Sequence, residues 1–349
     1  MENSRERNNP MKLSHTCHTL FSESIYTWLV EWVWGFESFA YLNIYDIIIF
    51  MKSIKHLMSG ITGNLYKYTH ELKNLKNKTV IDIPCGDGRM SAVFKELGAT
   101  VESYDLDSKD NDYIEHSHKF ADMNERLPID SNHADIILCQ EGIEHLQDQF
   151  FIFSEFNRIL KKGGILILTT PSISNLRSKL AYLFMETESF KRLPYNEIDA
   201  LWRVDKNDDK TKIYFGHLFL ITCSKLFTIS KINGFRLREQ ILTKISSSSF
   251  LLFILFYPLI LLFNALSYLK YFKNTKTRTD MKDNIMRDTF LMNINYKTLL
   301  SKHTFWILEK DMSISEAINS LSSFSEKASE EIKLSREVRW IYSYKVKFT

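Results

Sequence analysis

Cysteine and glycine are scarce in this chain, and neither sign of charge is in large excess. Its 349 residues include 4 cysteines and 11 glycines. The cysteines form no CxxC pair, so the sequence indicates neither a zinc site nor a disulfide framework and fits a reducing cytosol; they are Cys17, Cys85, Cys139 and Cys223. The net charge is only +3 and no basic block stands out, so we expect no nucleic-acid partner.

The N-terminus lacks the signature of a secretory signal. Residues 1–10, MENSRERNNP, are polar, and no basic n-region, short apolar run and small-residue cleavage site follow in that order. We therefore predict no signal peptide. Residues 246–269, SSSSFLLFILFYPLILLFNALSYL, lack any charged residue. That run approaches the ~20 apolar residues that a membrane span requires.

From Thr79 onward, short apolar runs alternate with amphipathic stretches, which is typical of an α/β protein built from βαβ units. The predicted strands are Val80–Ile83, Thr100–Tyr104, Lys119–Ala121, Ala134–Gln140 and Ile165–Thr170. The predicted helices between them are Arg89–Leu97, a polar stretch near 107–116, and Gln147–Leu160. A further helix, Thr222–Ile232, and two strands, Phe235–Ile245 and Thr304–Lys310, are predicted beyond them.

These patterns predict five segments along the chain. They are an N-terminal helical extension (1–78), a ligand-binding α/β domain (79–245), a hydrophobic, membrane-contacting insertion (246–303), a last strand (304–310), and a C-terminal helix and tail (311–349). The polar C-terminal helix is predicted over 312–339.

The stretch VIDIPCGDGRM (80–90) predicts a strand, a glycine loop and a helix N-terminus, which is a site suited to a ligand. One interpretation is a dinucleotide site, since Gly86, Gly88 and Ser91 have the spacing of that fingerprint and Asp105 follows about 20 residues on. Against it, Asp82 and Asp87 would repel a pyrophosphate. A cationic cofactor such as S-adenosylmethionine suits the acids better.

VIDIPCGDG resembles the first motif of class I S-adenosylmethionine-dependent methyltransferases, with Pro84 where that family has a glycine. VESYDLD, ADMNERLP, ADIILCQEGIEHL and RILKKGGILILTTPS resemble its second to fifth strands, in order. The resemblance implies a seven-stranded Rossmann-like sheet with helices on both faces, and the apolar run 246–269 is then a hydrophobic helical insertion between its last two strands. It also implies that Asp105 accepts from both ribose hydroxyls and Asp122 from the adenine amino group. The implied cofactor contacts are Asp82, Pro84, Gly86, Asp87, Gly88, Asp105, Leu106, Asp122, Met123 and Gln140.

A cluster after the fourth predicted strand is a candidate for activating the acceptor. Glu141, Glu144 and His145 fall at i, i+3 and i+4, on one face if a helical turn begins there. Such a face suits Mg²⁺ or Mn²⁺. The pattern is similar to the metal-binding Glu-x-x-Glu-His of ubiquinone-pathway O-methyltransferases and small-RNA 2′-O-methyltransferases. The RNA enzymes add a later histidine, for which His217 is the candidate in this chain. Without metal, His145 or His217 is a candidate general base. Alternatively, Glu144 and His145 only orient the next helix, and His217 is an ordinary loop residue.

The apolar run 246–269 is either a buried helix, a dimer interface or a membrane contact. In the resembled fold the last two strands are antiparallel, so both ends of the insertion lie on the same side of a membrane. Lys244 and Lys270 flank the run, and basic flanks favour the cytoplasmic side. Pro258 divides the run into two short arms. We therefore expect a monotopic hairpin or an interfacial helix pair at the inner face of the plasma membrane. TPSISNLRSKLAYLF (170–184) also resembles polysaccharide-pathway methyltransferases, and the composition is typical of bacterial proteins.

Three functional hypotheses follow. The first is an S-adenosylmethionine-dependent methyltransferase that methylates a hydroxyl of a membrane-associated glycan, polyprenyl-linked or quinone-like acceptor. The second is an NAD-dependent oxidoreductase or epimerase, which would need affinity for a pyrophosphate. The third is a non-catalytic membrane adaptor that keeps the fold and loses the cofactor. The sequence specifies neither the acceptor nor the oligomeric state.

Overall fold

The computed structural model describes residues 60–72, 74–106, 118–190, 202–203, 213–214, 216–245, 247–273, 280–317 and 319. The chain divides into two compact units, Met1–Lys55 and His56–Thr349, and the described residues all belong to the second. Three predictions therefore lie wholly or largely outside the described residues: the helical extension before residue 60, the polar helix near 107–116 and the C-terminal helix 312–339.

The strands of the described residues form one mixed sheet and one small ribbon. They are β1 (Thr79–Asp82), β2 (Thr100–Asp105), β3 (Lys119–Phe120), β4 (Ala134–Gln140), β5 (Leu160–Pro171), β6 (Trp202–Arg203), β7 (Ile213–Tyr214), β8 (Phe235–Gln240) and β9 (His303–Lys310). The sheet has seven strands in the order β3-β2-β1-β4-β5-β9-β8, while β6 pairs with β7. Strands β1 to β5 are parallel, and β9 is antiparallel to both β5 and β8. This topology confirms the predicted class I methyltransferase sheet.

Eight helices connect or follow these strands in the part of the chain that is described. They are α1 (Ile61–Glu71), α2 (Arg89–Glu96), α3 (Gln149–Ile159), α4 (Leu176–Met185), α5 (Cys223–Ile232), α6 (Ser247–Lys273), α7 (Asp280–Ile294) and α8 (Tyr296–Leu300). Side chains cap several of them, as where Thr222 accepts a hydrogen bond from the Lys225 N–H at the start of α5. Single 3₁₀ turns lie at Ile143–His145 and His217–Phe219.

The core has two halves, one on each face of the sheet. Successive strand residues alternate between them, so that Val80 and Phe305 belong to one cluster while Ile81 and Trp306 belong to the other. Helices α1 and α2 cover the first face, and α3 and α5 cover the second. The predicted placement of helices on both faces is confirmed, because the strands are apolar on both sides.

The insertion between β8 and β9 differs from its prediction. The apolar run does not break into two arms at Pro258, because α6 is a single helix of 27 residues that contains this proline. Proline removes only one backbone hydrogen bond, and the surrounding leucine-rich residues carry no turn signal that would end the helix. The chain returns through α7, which packs against α6.

Both ends of the insertion lie at one edge of the sheet. Parallel strands β1, β4 and β5 all end at this edge. Strand β9 is antiparallel to both β5 and β8, so β9 begins and β8 ends at the same edge. The base is closed by a bridge between Ile245 and Ser301 and by the Lys302 N–H, which donates to the Lys244 carbonyl at 3.0 Å. The insertion is therefore rooted at the edge where an α/β sheet binds its ligand.

Candidate active site

A cleft of about 260 Å³ opens where the strand order reverses, between the carboxyl ends of β1 and β4. This is the switch point at which open α/β sheets bind ligands. Its lining comes from α1, the loop after β1, the start of α2 and the end of β4: Thr62, Asp82, Pro84, Cys85, Gly86, Asp87, Arg89, Met90, Gln140 and Glu141. Five of the ten predicted cofactor residues, together with the catalytic candidate Glu141, therefore line this cleft: Asp82, Pro84, Gly86, Asp87 and Gln140.

The glycine loop has a left-handed backbone at two positions. Gly86 has φ +52° and Gly88 has φ +75°, a region that side chains rarely enter. Pro84 is preceded by a cis peptide bond and packs closely on Gly142, where an added Cβ would come within 2.6 Å of the proline Cδ. The loop accommodates proline in place of the family's glycine because this position neither takes a positive φ nor donates a backbone hydrogen bond.

Asp105 connects the end of β2 to the glycine loop. Its carboxylate accepts hydrogen bonds from the Gly86 N–H at 2.8 Å and the Leu106 N–H at 2.7 Å. A carboxylate oxygen accepts up to two hydrogen bonds, so a carboxylate at this position can hold the loop and also accept from a ligand. The position suits the role that the resemblance implies, and that role stays a prediction.

The two acids of the loop repel anions less than the sequence argument assumed. Asp82 is buried and receives a hydrogen bond from Ser91, and burial raises its pKa to about 7. Asp87 forms an ion pair with Arg89 at 3.0 Å. One acid is thus partly protonated near neutral pH and the other is paired, so the charge of these two acids does not by itself exclude a pyrophosphate.

Three of the predicted cofactor residues lie after β3 and at the end of β4. Asp122, buried after β3, accepts from the Asn124 backbone N–H at 2.9 Å, and Met123 packs on the core beside it. Gln140 donates to the Thr62 hydroxyl at 3.2 Å, which connects β4 to α1. Thr62 was not among the predicted site residues, because a polar residue on a helical extension carries no motif.

Glu141 does not join the helical turn that the i, i+3, i+4 spacing assumed. It has φ +50° and its N–H donates to the Thr169 carbonyl at 3.0 Å, so the 3₁₀ turn begins only at Ile143. Its carboxylate instead lies 3.2 Å from Nδ1 of His303, the first residue of β9. The sequence could not reveal this pair, because 162 residues separate the two partners.

Three of the four predicted metal ligands do come together. Glu144, His145 and His217 each offer a ligand atom, and these atoms lie within 4.8 Å of one another. The two 3₁₀ turns pack against each other, and the imidazole centroids are 5.2 Å apart. Nδ1 of His145 lies 3.1 Å from the Gly216 carbonyl, so in the neutral tautomer that donates there the lone pair is on Nε2.

Burial controls the protonation of this cluster. Glu144 is fully buried, and burial together with the nearby charge of Glu141 raises its pKa to about 8. Burial and His145 lower the pKa of His217. One carboxylate oxygen of Glu144 accepts from Thr170 at 2.9 Å, whereas its Oε1 has no hydrogen-bond partner among the described residues. A buried oxygen without a partner beside two imidazoles suits a divalent cation such as Mn²⁺.

Comparison with known proteins now decides the family. The family model described as a methyltransferase domain, Methyltransf_23, matches residues 61–239. The chain belongs to the class I S-adenosylmethionine-dependent methyltransferases. Membership implies S-adenosylmethionine as the methyl donor. The matched range includes every predicted cofactor, catalytic and metal residue, whereas α6 and β9 lie beyond it.

Curated methyltransferases are similar to about a third of the chain. It is 33% identical over 128 residues to the ubiquinone biosynthesis O-methyltransferase of Pelagibacter ubique, covering 34% of this chain and 51% of that protein. It is 29% identical over 126 residues to the protein of the same name from Coxiella burnetii, covering 34% and 52%. The chain thus spans about half the length of these curated relatives.

Among solved structures, an S-adenosylmethionine-dependent methyltransferase from Mesorhizobium loti matches 70% of this chain and 96% of its own. The sequence identity is 10% and the TM-score is 0.37.

Proposed function

We propose that this methyltransferase transfers the methyl group of S-adenosylmethionine to a hydroxyl oxygen of a quinone-like, polyprenyl-linked or membrane-associated glycan acceptor. The observation that carries the oxygen-directed chemistry is the cluster of Glu144, His145 and His217 beside the cleft. The printed name of the curated relatives, ubiquinone biosynthesis O-methyltransferase, supports a quinone-like acceptor.

The donor would bind on the glycine loop. Asp105 holds this loop through the Gly86 N–H and would accept from the ribose, and Asp122 would receive the adenine amino group. The sulfonium would then lie near the carboxyl end of β4. Methyl transfer is an in-line displacement, so the main tasks of the protein are to position the acceptor oxygen and to remove its proton.

Glu144, His145 and His217 would hold a divalent ion. Glu141 would add a negative charge nearby. When bound, such an ion supplies Lewis acidity, which lowers the pKa of a hydroxyl. The Thr170 hydroxyl and the Gly216 carbonyl orient Glu144 and His145 through hydrogen bonds, as the partners of metal ligands commonly do.

The same residues offer a metal-independent route. His217 is held neutral at pH 7 by its lowered pKa, so it can accept a proton from the acceptor hydroxyl. The pair of Glu141 and His303 lies close by and would stabilise a cation that forms on the histidines. The experiments below separate the two routes.

Titration calorimetry of the full chain tests the donor site. We expect S-adenosylhomocysteine to bind at micromolar concentration and NAD to show no heat. Binding of NAD without binding of S-adenosylhomocysteine would favour the oxidoreductase hypothesis instead, and binding of S-adenosylhomocysteine without any methyl transfer would favour the adaptor.

The oxygen-directed reaction is tested with labelled donor and three acceptors: a soluble catechol, a polyprenyl-substituted phenol and a primary amine. We expect mass spectrometry to find methyl ethers of the phenols and no methylated amine. Methylation of the amine alone would contradict the proposal. Electron paramagnetic resonance of added Mn²⁺ reports metal binding independently of turnover; loss of the bound signal in Glu144→Gln, but not in the matched exposed-site control Glu96→Gln, is expected.

A further inference from the structure

Helix α6 exposes an unusually apolar surface. It is apolar and long enough to cross a membrane, with a mean hydropathy of 2.3 over its most apolar window, and only 11% of that window is buried. Its large apolar residues with about half or more of their surface exposed are Leu251, Ile254, Leu255, Leu259, Leu262, Phe263, Leu266 and Leu269. We call these eight residues the outer face. A helix that is apolar all round is ordinarily found in a protein core or in a membrane, and this one is not in the core.

In the described part of the chain, α6 is covered on the side opposite the outer face. Its buried residues, Ser249, Phe253 and Tyr257, recur every four positions and form a single stripe. At ~100° per residue, the outer face covers an arc of roughly 180° on the other side of the helix. Contact between two helices occupies a narrower ridge-and-groove stripe than this.

Helix α4 extends the apolar surface. It packs against α6 and ends with Leu183 and Phe184, which are 73% and 69% exposed. Two segments that pack against each other therefore each present large apolar side chains to solvent. Exposed apolar surface of this extent marks interaction sites.

The far end of α6 is tied to the body of the protein. The Tyr271 hydroxyl donates to Asp283 of α7 at 2.6 Å, and Tyr268 stacks on Phe290 of the same helix. Helix α7 in turn reaches α5, where the Ser224 hydroxyl donates to Asn293. If α6 crossed a bilayer, the charged α7 would be drawn in with it, so α6 is restricted to lying along a surface.

The charges around the outer face favour an anionic partner. Lys244 precedes α6 and Lys270 and Lys273 end it, all three exposed, while no acidic residue occurs between 244 and 273. Each basic residue held near an anionic bilayer contributes favourably to binding. A second copy of this face would instead bring like charges together.

We propose that the outer face of α6, with Leu183 and Phe184, docks on an anionic lipid bilayer and lies in the plane of its surface. The topology gives this docking a consequence, because α6 starts at the sheet edge that carries the cleft, and His303 at the base of the insertion contacts Glu141 in the cleft wall. Docking thereby brings the catalytic edge close to lipid-borne acceptors. The docking itself does not depend on which acceptor is methylated.

Vesicle flotation of the full chain tests the proposal, with vesicles of phosphatidylcholine alone and of phosphatidylcholine with phosphatidylglycerol. We expect the wild-type chain to float with the anionic vesicles. Leu255→Glu with Phe263→Glu should lower the bound fraction at least tenfold, because two large apolar side chains would carry charge into the bilayer. The matched control is Leu291→Glu, an exposed leucine on α7, which should float like the wild type.

A second variant tests the role of charge. Lys244, Lys270 and Lys273 changed together to Gln should weaken binding to anionic vesicles at least tenfold. Calorimetry with S-adenosylhomocysteine on every variant shows whether the cleft is intact, so a failure of docking is distinguishable from a failure of the proposed function.

Two outcomes would overturn the inference. The first is a wild-type chain that floats with neither kind of vesicle and is a dimer by light scattering, together with an outer-face variant that is a monomer. That result would assign the outer face to contact with a second copy. The second is equal loss of flotation in the Leu291→Glu control, which would show that the outer face has no special part.

Discussion

The cleft and the insertion place their side chains in opposite environments. In the cleft, acidic groups are buried and held by hydrogen bonds, as with Asp82 and Ser91 or Glu144 and Thr170. In the insertion, leucines and phenylalanines face solvent along most of α6. Burying a polar group and exposing an apolar one both cost free energy. Each region therefore carries a cost that a bound partner would relieve: a cofactor or cation in the cleft, a lipid surface on the insertion.

This difference predicts that the two regions can be damaged separately. Substitutions in the cleft should change chemistry, donor binding and pH dependence without changing flotation. Substitutions of the outer face should change flotation without changing donor binding or pH dependence. Measuring cleft chemistry and flotation on the same variant distinguishes damage to one region from damage to the other.

The largest effect is expected for Glu144→Gln. Loss of this buried ligand should lower methyl transfer at least a hundredfold, and chelation with EDTA should do the same to the wild-type chain in a way that Mn²⁺ reverses. Activity is measured with labelled donor. Full activity of the wild-type chain in chelator would contradict the metal route and leave His217 as the base.

The second effect concerns Asp82 and pH. Because its pKa is raised in the folded state, the folded chain retains a proton that the unfolded chain has lost between about pH 4 and pH 7. The free energy of unfolding should therefore fall across this window as the pH rises, by about 1 kcal/mol per pH unit near its upper half. Asp82→Asn removes the titrating group.

Urea unfolding at pH 5 and pH 7 measures this slope, and the difference between wild type and Asp82→Asn should be about 2 kcal/mol over the two units. The outer-face variant should keep the wild-type slope. Identical slopes in wild type and Asp82→Asn would show that Asp82 has an ordinary pKa.

The third effect is steric. In Gly142→Ala the new Cβ would lie 2.6 Å from Cδ of Pro84, so the loop after β1 must shift. Overpacking of this kind should reduce the free energy of unfolding by about 2 kcal/mol. Gly86→Ala is the control, since nothing lies within 4 Å of its Cβ and only the positive φ opposes it; its cost should be about 1 kcal/mol. Equal costs in urea unfolding would argue against close packing of Pro84 on Gly142.

The smallest of these effects is expected for Asp105→Ala. Loss of the ribose acceptor should weaken S-adenosylhomocysteine binding about tenfold, or about 1.4 kcal/mol, because two hydroxyls lose a charged partner. Calorimetry measures the change. Unaltered affinity would place the ribose elsewhere, and flotation of this variant should match that of the wild type.

Much of the sheet could be predicted because its signals are local. Strand β4 occurs over the predicted residues, Ala134–Gln140, and most other strand and helix bounds differ from prediction by one or two residues. Strands β5 and β8 are the exceptions, since β5 starts at Leu160 rather than Ile165 and β8 ends at Gln240 rather than Ile245. Leu160 pairs with Ala134 across an irregularity in the ladder, and such pairing depends on a partner strand that a local pattern does not include.

The sequence by itself determined the apolar periodicity, the glycine loop and the uncharged run, because each depends on neighbours a few residues away. Through the family resemblance that these features carry, it predicted the seven-stranded sheet, the family and a ligand site at the glycine loop. Only the tertiary structure decided that Glu141 pairs with His303, that His217 joins Glu144 and His145, and that Pro258 lies within one helix. Those outcomes depend on contacts between residues that are far apart in the chain, and on burial, which sets the protonation of Asp82 and Glu144 and leaves the outer face of α6 exposed.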